Sequence, residues 1–265
     1  MMSSPVILIT GASSGIGAAT ARLFGARGYR VILTARRQER LESLVAGIRE
    51  NGGDACSIPA DISQPEQIER MVKRALDCFG QIDILVNNAG LGRLNWLENL
   101  DPQDDIAYQI QVNLTGMIQT TRMVLPQMLA RNSGTIINIG SIAGLVATPA
   151  YSVYAATKYG VRGFTEALRR EVSVYGIEVA GIYPGSVVTE FGQKAKLRRK
   201  TGVGTPKALK LMADDVAQTI WSVVERPRRA VITPWQMRPV VWASVVFPGL
   251  VDRIIEWRFT NKERE

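Results

Sequence analysis

Short, uninterrupted apolar runs alternate along this chain with longer segments whose apolar residues recur every three or four positions. Residues 6–9, 30–34, 55–59, 82–86, 135–139, 177–183 and 230–233 are runs of the first kind. Their length and their Val and Ile content predict strands buried on both faces of a parallel sheet. Between them, the spacing predicts helices that begin after residue 17 and span about 38–50, 64–79, 104–131, 151–175 and 214–225, with Pro126 as a kink in the fourth. Asn51-Gly52-Gly53 closes the second helix in the usual way. Sustained strand–helix alternation implies right-handed crossovers and a Rossmann-type, doubly wound α/β fold of three αβα layers, with ligands at the carboxyl ends of the strands. Residues 1–265 are expected to form one domain. The pattern breaks twice, at a polar, basic stretch around 190–212 and at a Trp- and Val-rich tail, 234–265.

Composition narrows the chemistry. Apolar residues make up 46% and charged residues 21%, which suits a globular chain and excludes a disordered or fibrous one. Histidine is absent, so acid–base work falls to Tyr, Lys, Asp or Glu. The two cysteines, Cys56 and Cys78, form no framework for a disulfide or metal site and are expected to be small buried hydrophobes. A net charge of +8 favours anionic ligands or surfaces, such as cofactor phosphates, an acidic carrier protein or anionic lipid. The N-terminal residues carry no secretory pattern, so a cytoplasmic location is the default expectation.

Three stretches carry the chemistry. Gly11, Ser13, Ser14, Gly15, Ile16 and Gly17 follow the first strand and open the first helix. A Gly-rich turn in that place brings backbone N–H groups up to a pyrophosphate. At the end of the second strand stand Arg36 and Arg37, where an acidic residue would hydrogen-bond an adenosine ribose. Guanidinium groups there favour a 2′-phosphate, hence NADP(H) over NAD(H). Lastly, Tyr154 is the only one of seven tyrosines followed by a lysine four residues on, Lys158, and Ser141 lies just past the fifth strand. On a helix, Tyr154 and Lys158 share a face, and an ammonium near a phenol favours its ionised form. Taken alone, such a pair is ordinary helix surface.

Together these elements resemble the short-chain dehydrogenase/reductase family from Pro5 to about Thr233. The resemblance is carried by Thr10-Gly11-x-x-x-Gly15-x-Gly17, Asn87-Asn88-Ala89-Gly90, Asn113, Ser141, Tyr154-x-x-x-Lys158 and Pro184-Gly185, in the family's order. It implies a catalytic tetrad of Asn113, Ser141, Tyr154 and Lys158. Tyr154 would exchange a proton with the carbonyl oxygen, Ser141 would hold that oxygen, and Lys158 would lower the tyrosine pKa and bind the nicotinamide ribose. Asn113 would hold a water. It further implies Asp61 and Ile62 at adenine, Asn88, Ala89 and Gly90 along the ribose, and Pro184, Gly185, Val187 and Thr189 near the nicotinamide. Leu91, Ile142, Leu145, Val146 and Val187 are expected to give the substrate pocket an apolar lining.

The expected activity is NADP(H)-dependent interconversion of a carbonyl and a secondary alcohol on a fairly apolar small molecule, with no metal and no nucleic acid. A reductase for 3-oxoacyl groups on acyl-carrier protein is an alternative that the basic charge favours and the tail disfavours. A cofactor-binding sensor without turnover is the alternative of another class. The tail departs from the family's short C-terminal segment. It is expected to pack on the domain or in a homodimer or larger homo-oligomer, with peripheral membrane contact a less favoured reading. At 240–247 its apolar run is too short to span a bilayer.

Overall fold

The computed structural model describes residues 4–195 and 205–264. Basic residues Lys196, Arg198, Arg199 and Lys200 of the stretch singled out above lie outside the described residues. Seven strands form one parallel sheet: β1 (Val6–Thr10), β2 (Arg30–Ala35), β3 (Asp54–Pro59), β4 (Ile84–Asn87), β5 (Gly134–Ile139), β6 (Ile177–Pro184) and β7 (Ala230–Thr233). Their order is β3-β2-β1-β4-β5-β6-β7, so the winding reverses between β1 and β4. In such sheets the crevice at that reversal is where ligands bind.

The pleat explains why the strand sequences are apolar throughout. Ile7, Ile9, Val31 and Leu33 enter one core, while Val6, Leu8, Ile32 and Leu85 enter the other. Alternate residues point to opposite faces, so both parities must be apolar when helices cover both. The first face is covered by α1 (Gly15–Ala26), by α2 (Gln38–Glu50) through Leu41, Val45 and Ile48, and, after the crossovers, by the helix at Ala213–Glu225 through Val216, Ile220 and Val223. On the second face, α3 (Pro65–Phe79) presents Ile68, Met71, Val72 and Ala75. Burying one such side chain contributes about 1.5–3 kcal/mol.

β4 starts two residues later than the apolar run suggests. Asp83 interrupts the run, and its carboxylate accepts from the Val6 N–H at 2.8 Å and from Arg131 at 2.8 Å, which pins the strand's entry with side-chain bonds. The expected helix over 104–131 is also more complex. It begins with a π-helical turn at Pro102–Ala107, has a second π-helical turn at Gln111–Thr115, and becomes the α-helix α4 at Gly116–Arg131. α4 runs through Pro126 without interruption, so the irregularity lies at Asn113 instead. α5 (Ser152–Val172) carries Tyr154 and Lys158, and a five-residue helix, α6 (Glu190–Lys194), follows β6. The helix at Ala213–Glu225 is α7.

Two expectations about burial change. Cys56 is partly buried, but Cys78 is exposed on α3. The tail includes the helices α8 (Arg238–Val246) and α9 (Pro248–Ile255), followed by a π-helical turn (Glu256–Thr260) and a last α-helical turn (Asn261–Arg264), and its apolar residues do not pack into either core. Trp235, Trp242 and Trp257 are 66%, 62% and 64% exposed, and Val245, Phe247, Leu250 and Ile254 are also open to solvent. No helix among the described residues is long and apolar enough to cross a membrane.

Candidate active site

At the reversal point, the Gly-rich turn and the Asn87–Gly90 stretch are stitched into one unit. The Thr10 hydroxyl accepts from the backbone N–H groups of Asn88 and Ala89, each at 3.0 Å. In return, the Asn88 side-chain amide donates to the carbonyls of Thr10 at 2.9 Å and Gly11 at 3.2 Å. Gly11 has a φ of +67°, and a Cβ on it would lie 2.7 Å from Ala89 Cα. A Cβ on Gly17 would lie 2.5 Å from the Gly11 carbonyl oxygen. Only glycine lets these backbones approach so closely. The first turn of α1 holds no acidic side chain, and the Ser14 hydroxyl does not cap it. Its dipole and N–H groups therefore suit a phosphate, and these residues fit the dinucleotide that the sequence implies.

The second group gathers where β5 ends. Ser141 follows that strand, and its Oγ accepts from the Ala143 N–H at 3.1 Å. Tyr154 and Lys158 are one turn apart on α5 and both are buried. Lys158 Nζ donates to the Ile139 carbonyl at 3.0 Å and lies 5.8 Å from the centre of the Tyr154 ring. A Cβ on Gly90 would lie 3.8 Å from that same Nζ, which brings the Asn87–Gly90 stretch and the lysine together.

Burial dominates the electrostatics. It pushes the Tyr154 phenol up to about 12, which its hydrogen bond to Ser141 offsets only in part. It pulls Lys158 down to about 8. The sequence led us to expect that the ammonium would make Tyr154 more acidic. In the chain itself burial sets the direction for the phenol, and the ammonium is directed to a backbone carbonyl.

Asn113 has a structural role that the sequence did not suggest. Its side-chain oxygen accepts from the Leu91 N–H at 2.8 Å and its amide donates to the Leu91 carbonyl at 2.8 Å. The side chain thus clamps the segment after β4 and also donates to the Thr157 hydroxyl at 3.3 Å. The π-helical turn around it alters the usual carbonyl ladder, a feature often found at functional sites.

The apolar wall beside Tyr154 is built from residues the sequence did not single out. Leu94, Ala143 and Ala195 cluster with Tyr154, and Tyr151 and Phe191 pack against them. The Phe191 ring lies 5.7 Å from the Tyr154 ring, and the Leu94 N–H donates to the Ala195 carbonyl at 3.2 Å. Leu91 and Val187, expected in the pocket lining, are partly buried and pack against the cores on opposite faces of the sheet. Ile142 starts the short 3-10 turn after Ser141, and Leu145 is buried just beyond it. No periodicity could have revealed this wall, because it joins loops far apart in sequence.

The arginine corner is also rearranged. Arg37, rather than Arg36, turns to the Gly-rich turn, where its guanidinium donates to Ser13 Oγ at 3.0–3.1 Å and to Ser14 Oγ at 2.7 Å. Arg36 points to the Tyr108 hydroxyl and lies 3.7 Å from the Asp61 carboxylate. Ile62 is buried in the second core, so it can offer a ligand only its backbone. Gly185 donates from its N–H to the Thr233 carbonyl at 2.7 Å and follows Pro184, the last residue of β6. Thr189 sits across from the Gly-rich turn, since a Cβ on Gly15 would lie 3.1 Å from its methyl carbon.

A doubly wound sheet with a Gly-rich turn at its reversal and a Ser beside a buried Tyr and Lys at the next strand end defines a class of nucleotide-dependent oxidoreductase folds. The chain belongs to the short chain dehydrogenase family, whose model matches residues 5–200. It is 36% identical over 233 residues to a 3-oxoacyl-[acyl-carrier-protein] reductase of Synechocystis, covering 88% of this chain and 94% of that protein. A short-chain dehydrogenase/reductase of Burkholderia phymatum, solved in complex with NAD, superposes with a TM-score of 0.84 at 26% identity, covering 94% of this chain and 96% of that one. Another, from Sphingobium yanoikuyae in complex with NADPH, gives 0.80 at 29% identity over 94% of this chain and 95% of that one. Oxidoreductase activity with a nicotinamide cofactor follows from membership.

Proposed function

We propose that this chain interconverts a carbonyl and a secondary alcohol on a fairly apolar small molecule, using NADP(H). The observation that carries the reading is Tyr154, buried beside Ser141 and walled by Leu94, Ala143 and Phe191. The cofactor, when bound, supplies or accepts the hydride. Tyr154 gives its phenolic proton to the carbonyl oxygen in reduction and recovers it in oxidation. Ser141 holds that oxygen by a hydrogen bond, which orients the carbon. Lys158, drawn to about 8, sits near its proton-exchange point at neutral pH and binds ribose hydroxyls. Asn113 acts in this scheme by fixing Leu91 and the loop after Gly90.

Along the cofactor, Gly11, Ser13, Ser14, Gly15, Ile16 and Gly17 face the phosphates. Asp61 and the Ile62 backbone border adenine, and Asn88, Ala89 and Gly90 the ribose. Pro184, Gly185, Val187 and Thr189 form the nicotinamide end. Arg37, with Arg36 beside it, supports the NADP(H) preference, because the chain places arginines and no acidic residue directly after β2, where an acid would bind a ribose 2′-hydroxyl. Ser141, Ile142 and Tyr154 border the substrate.

The test is NADPH oxidation with a panel of ketones, aldehydes and diketones, with Tyr154→Phe as the blank. Turnover that disappears in the variant supports the reading; NADPH binding without turnover of any compound would favour a sensor. The Synechocystis relative and the net charge of +8 support a second reading, reduction of a carrier-bound 3-oxoacyl chain. Activity on free ketones and none on the carrier-bound chain disposes of it. The exposed Trp residues of the tail support burial in a homo-oligomer, with a peripheral membrane contact as the less favoured cover. Light scattering and lipid flotation distinguish the two.

A further inference from the structure

The residue after Thr189 is Glu190, and its carboxylate reaches across the cofactor crevice to the arginines at the end of β2. Glu190 Oε2 accepts from Arg37 Nη1 at 2.9 Å, and Glu190 Oε1 accepts from Arg40 Nη1. The two partners are 153 and 150 residues away in sequence. Arg37 Nε and Nη2 are taken by Ser13 and Ser14, so its edge toward Nη1 is the one that Glu190 holds.

We infer that Glu190 sets how strongly this chain distinguishes a 2′-phosphorylated adenosine from an unphosphorylated one, by occupying the guanidinium edge that the phosphate must take. This rests on the NADP(H) reading above and names the residue that tunes it. A phosphate dianion and a carboxylate repel each other when they meet one guanidinium, so the phosphate binds only by displacing Glu190 or by tolerating it nearby. Displacement is feasible, because the Glu190 and Arg37 side chains are each 34% exposed and that of Arg40 is 50% exposed. Ion pairs so accessible to water are weak and exchange readily. An unphosphorylated adenosine presents no anion at this corner, and its binding leaves the ion pairs intact. Arg36 does not share this competition, because it is directed to Tyr108 and Asp61.

The experiment measures dissociation constants by calorimetry for NADP+, NAD+, 2′,5′-ADP and 5′-AMP on wild type, Glu190→Gln, Glu190→Ala and Glu190→Asp, with melting curves for each. Glu190→Gln and Glu190→Ala are expected to bind NADP+ and 2′,5′-ADP about three- to tenfold more tightly, and to bind NAD+ and 5′-AMP within about twofold of wild type. Glu190→Asp, which keeps the charge, stays near wild type. The gain shrinks in high salt, as for any partly exposed charge effect. Weaker NADP+ binding by Glu190→Gln would mean that Glu190 positions Arg37 for the phosphate, and overturns the inference. A wild-type preference for 2′,5′-ADP that Glu190→Gln leaves unchanged overturns it alone. If neither wild type nor Glu190→Gln binds 2′,5′-ADP better than 5′-AMP, the NADP(H) reading falls with it.

Discussion

The carboxyl ends of β1 and β4 and the C-terminal tail are both rich in small or apolar residues, yet they meet opposite fates. At the strand ends, Thr10 and Asn88 exchange four hydrogen bonds between their segments, and Gly11 and Gly17 leave no room for a methyl group. In the tail, Trp242 and Trp257 stand open to solvent, and the chain's own cores are complete without them. Apolar character alone therefore does not mark a core. What decides is whether a residue falls on the face that the sheet or its helices cover.

That contrast can be broken or sharpened by substitution, because atoms at the strand ends should matter far more than whole rings in the tail. The largest effect is expected from Tyr154→Phe. Losing the phenolic hydroxyl should lower kcat/KM by about a thousandfold, within the usual range for a lost general acid, while the melting temperature holds. Steady-state rates and a melt on the same sample check this, and retained turnover would remove Tyr154 from the chemistry.

Gly17→Val should come next. Its branched side chain meets the Gly11 carbonyl and the Asn88 amide, so a destabilisation of about 1–3 kcal/mol and loss of measurable cofactor binding are expected. Urea unfolding and a nucleotide titration read the two effects separately.

Lys158→Met probes the cost of the buried ammonium. Folded Lys158 titrates near 8 and unfolded lysine near 10.5, so below 8 both states are charged and the full burial cost applies. Between these values the folded chain releases its proton first, and wild-type stability rises relative to the variant. The variant should be more stable on the order of 2 kcal/mol at pH 7, and that advantage should shrink as pH rises from 8 to 10.5. A gap that does not vary with pH would show that the ammonium is not desolvated as described.

The smallest effect belongs to Trp242→Gln, which should change the stability of the isolated chain by less than about 0.5 kcal/mol. A larger loss in dilute solution would mean that the ring is already covered there, and the comparison would collapse.

Much of this was legible from residue order. The strand runs are read correctly because both parities of each are apolar, and Tyr154 with Lys158 lands on one helix face because the spacing demands it. The start of β4 was less legible, since Asp83 interrupts the apolar run there and its carboxylate takes the Val6 N–H. Asn113 was recognisable as unusual within a helix, but its clamp on Leu91 depends on a π-turn that no pattern announces.

The sequence by itself determined the alternation of elements, the Gly-rich turn and the Ser141, Tyr154 and Lys158 set, because local spacing and side-chain chemistry are properties of the chain. Only the tertiary structure decided that Phe191 and Leu94 wall Tyr154, that Arg37 rather than Arg36 faces the Gly-rich turn, and that Glu190 meets Arg37 from 153 residues away. Those contacts depend on which loops the parallel sheet delivers to one edge, and on a balance of burial against charge that exists only once the sheet has closed around Tyr154 and Lys158.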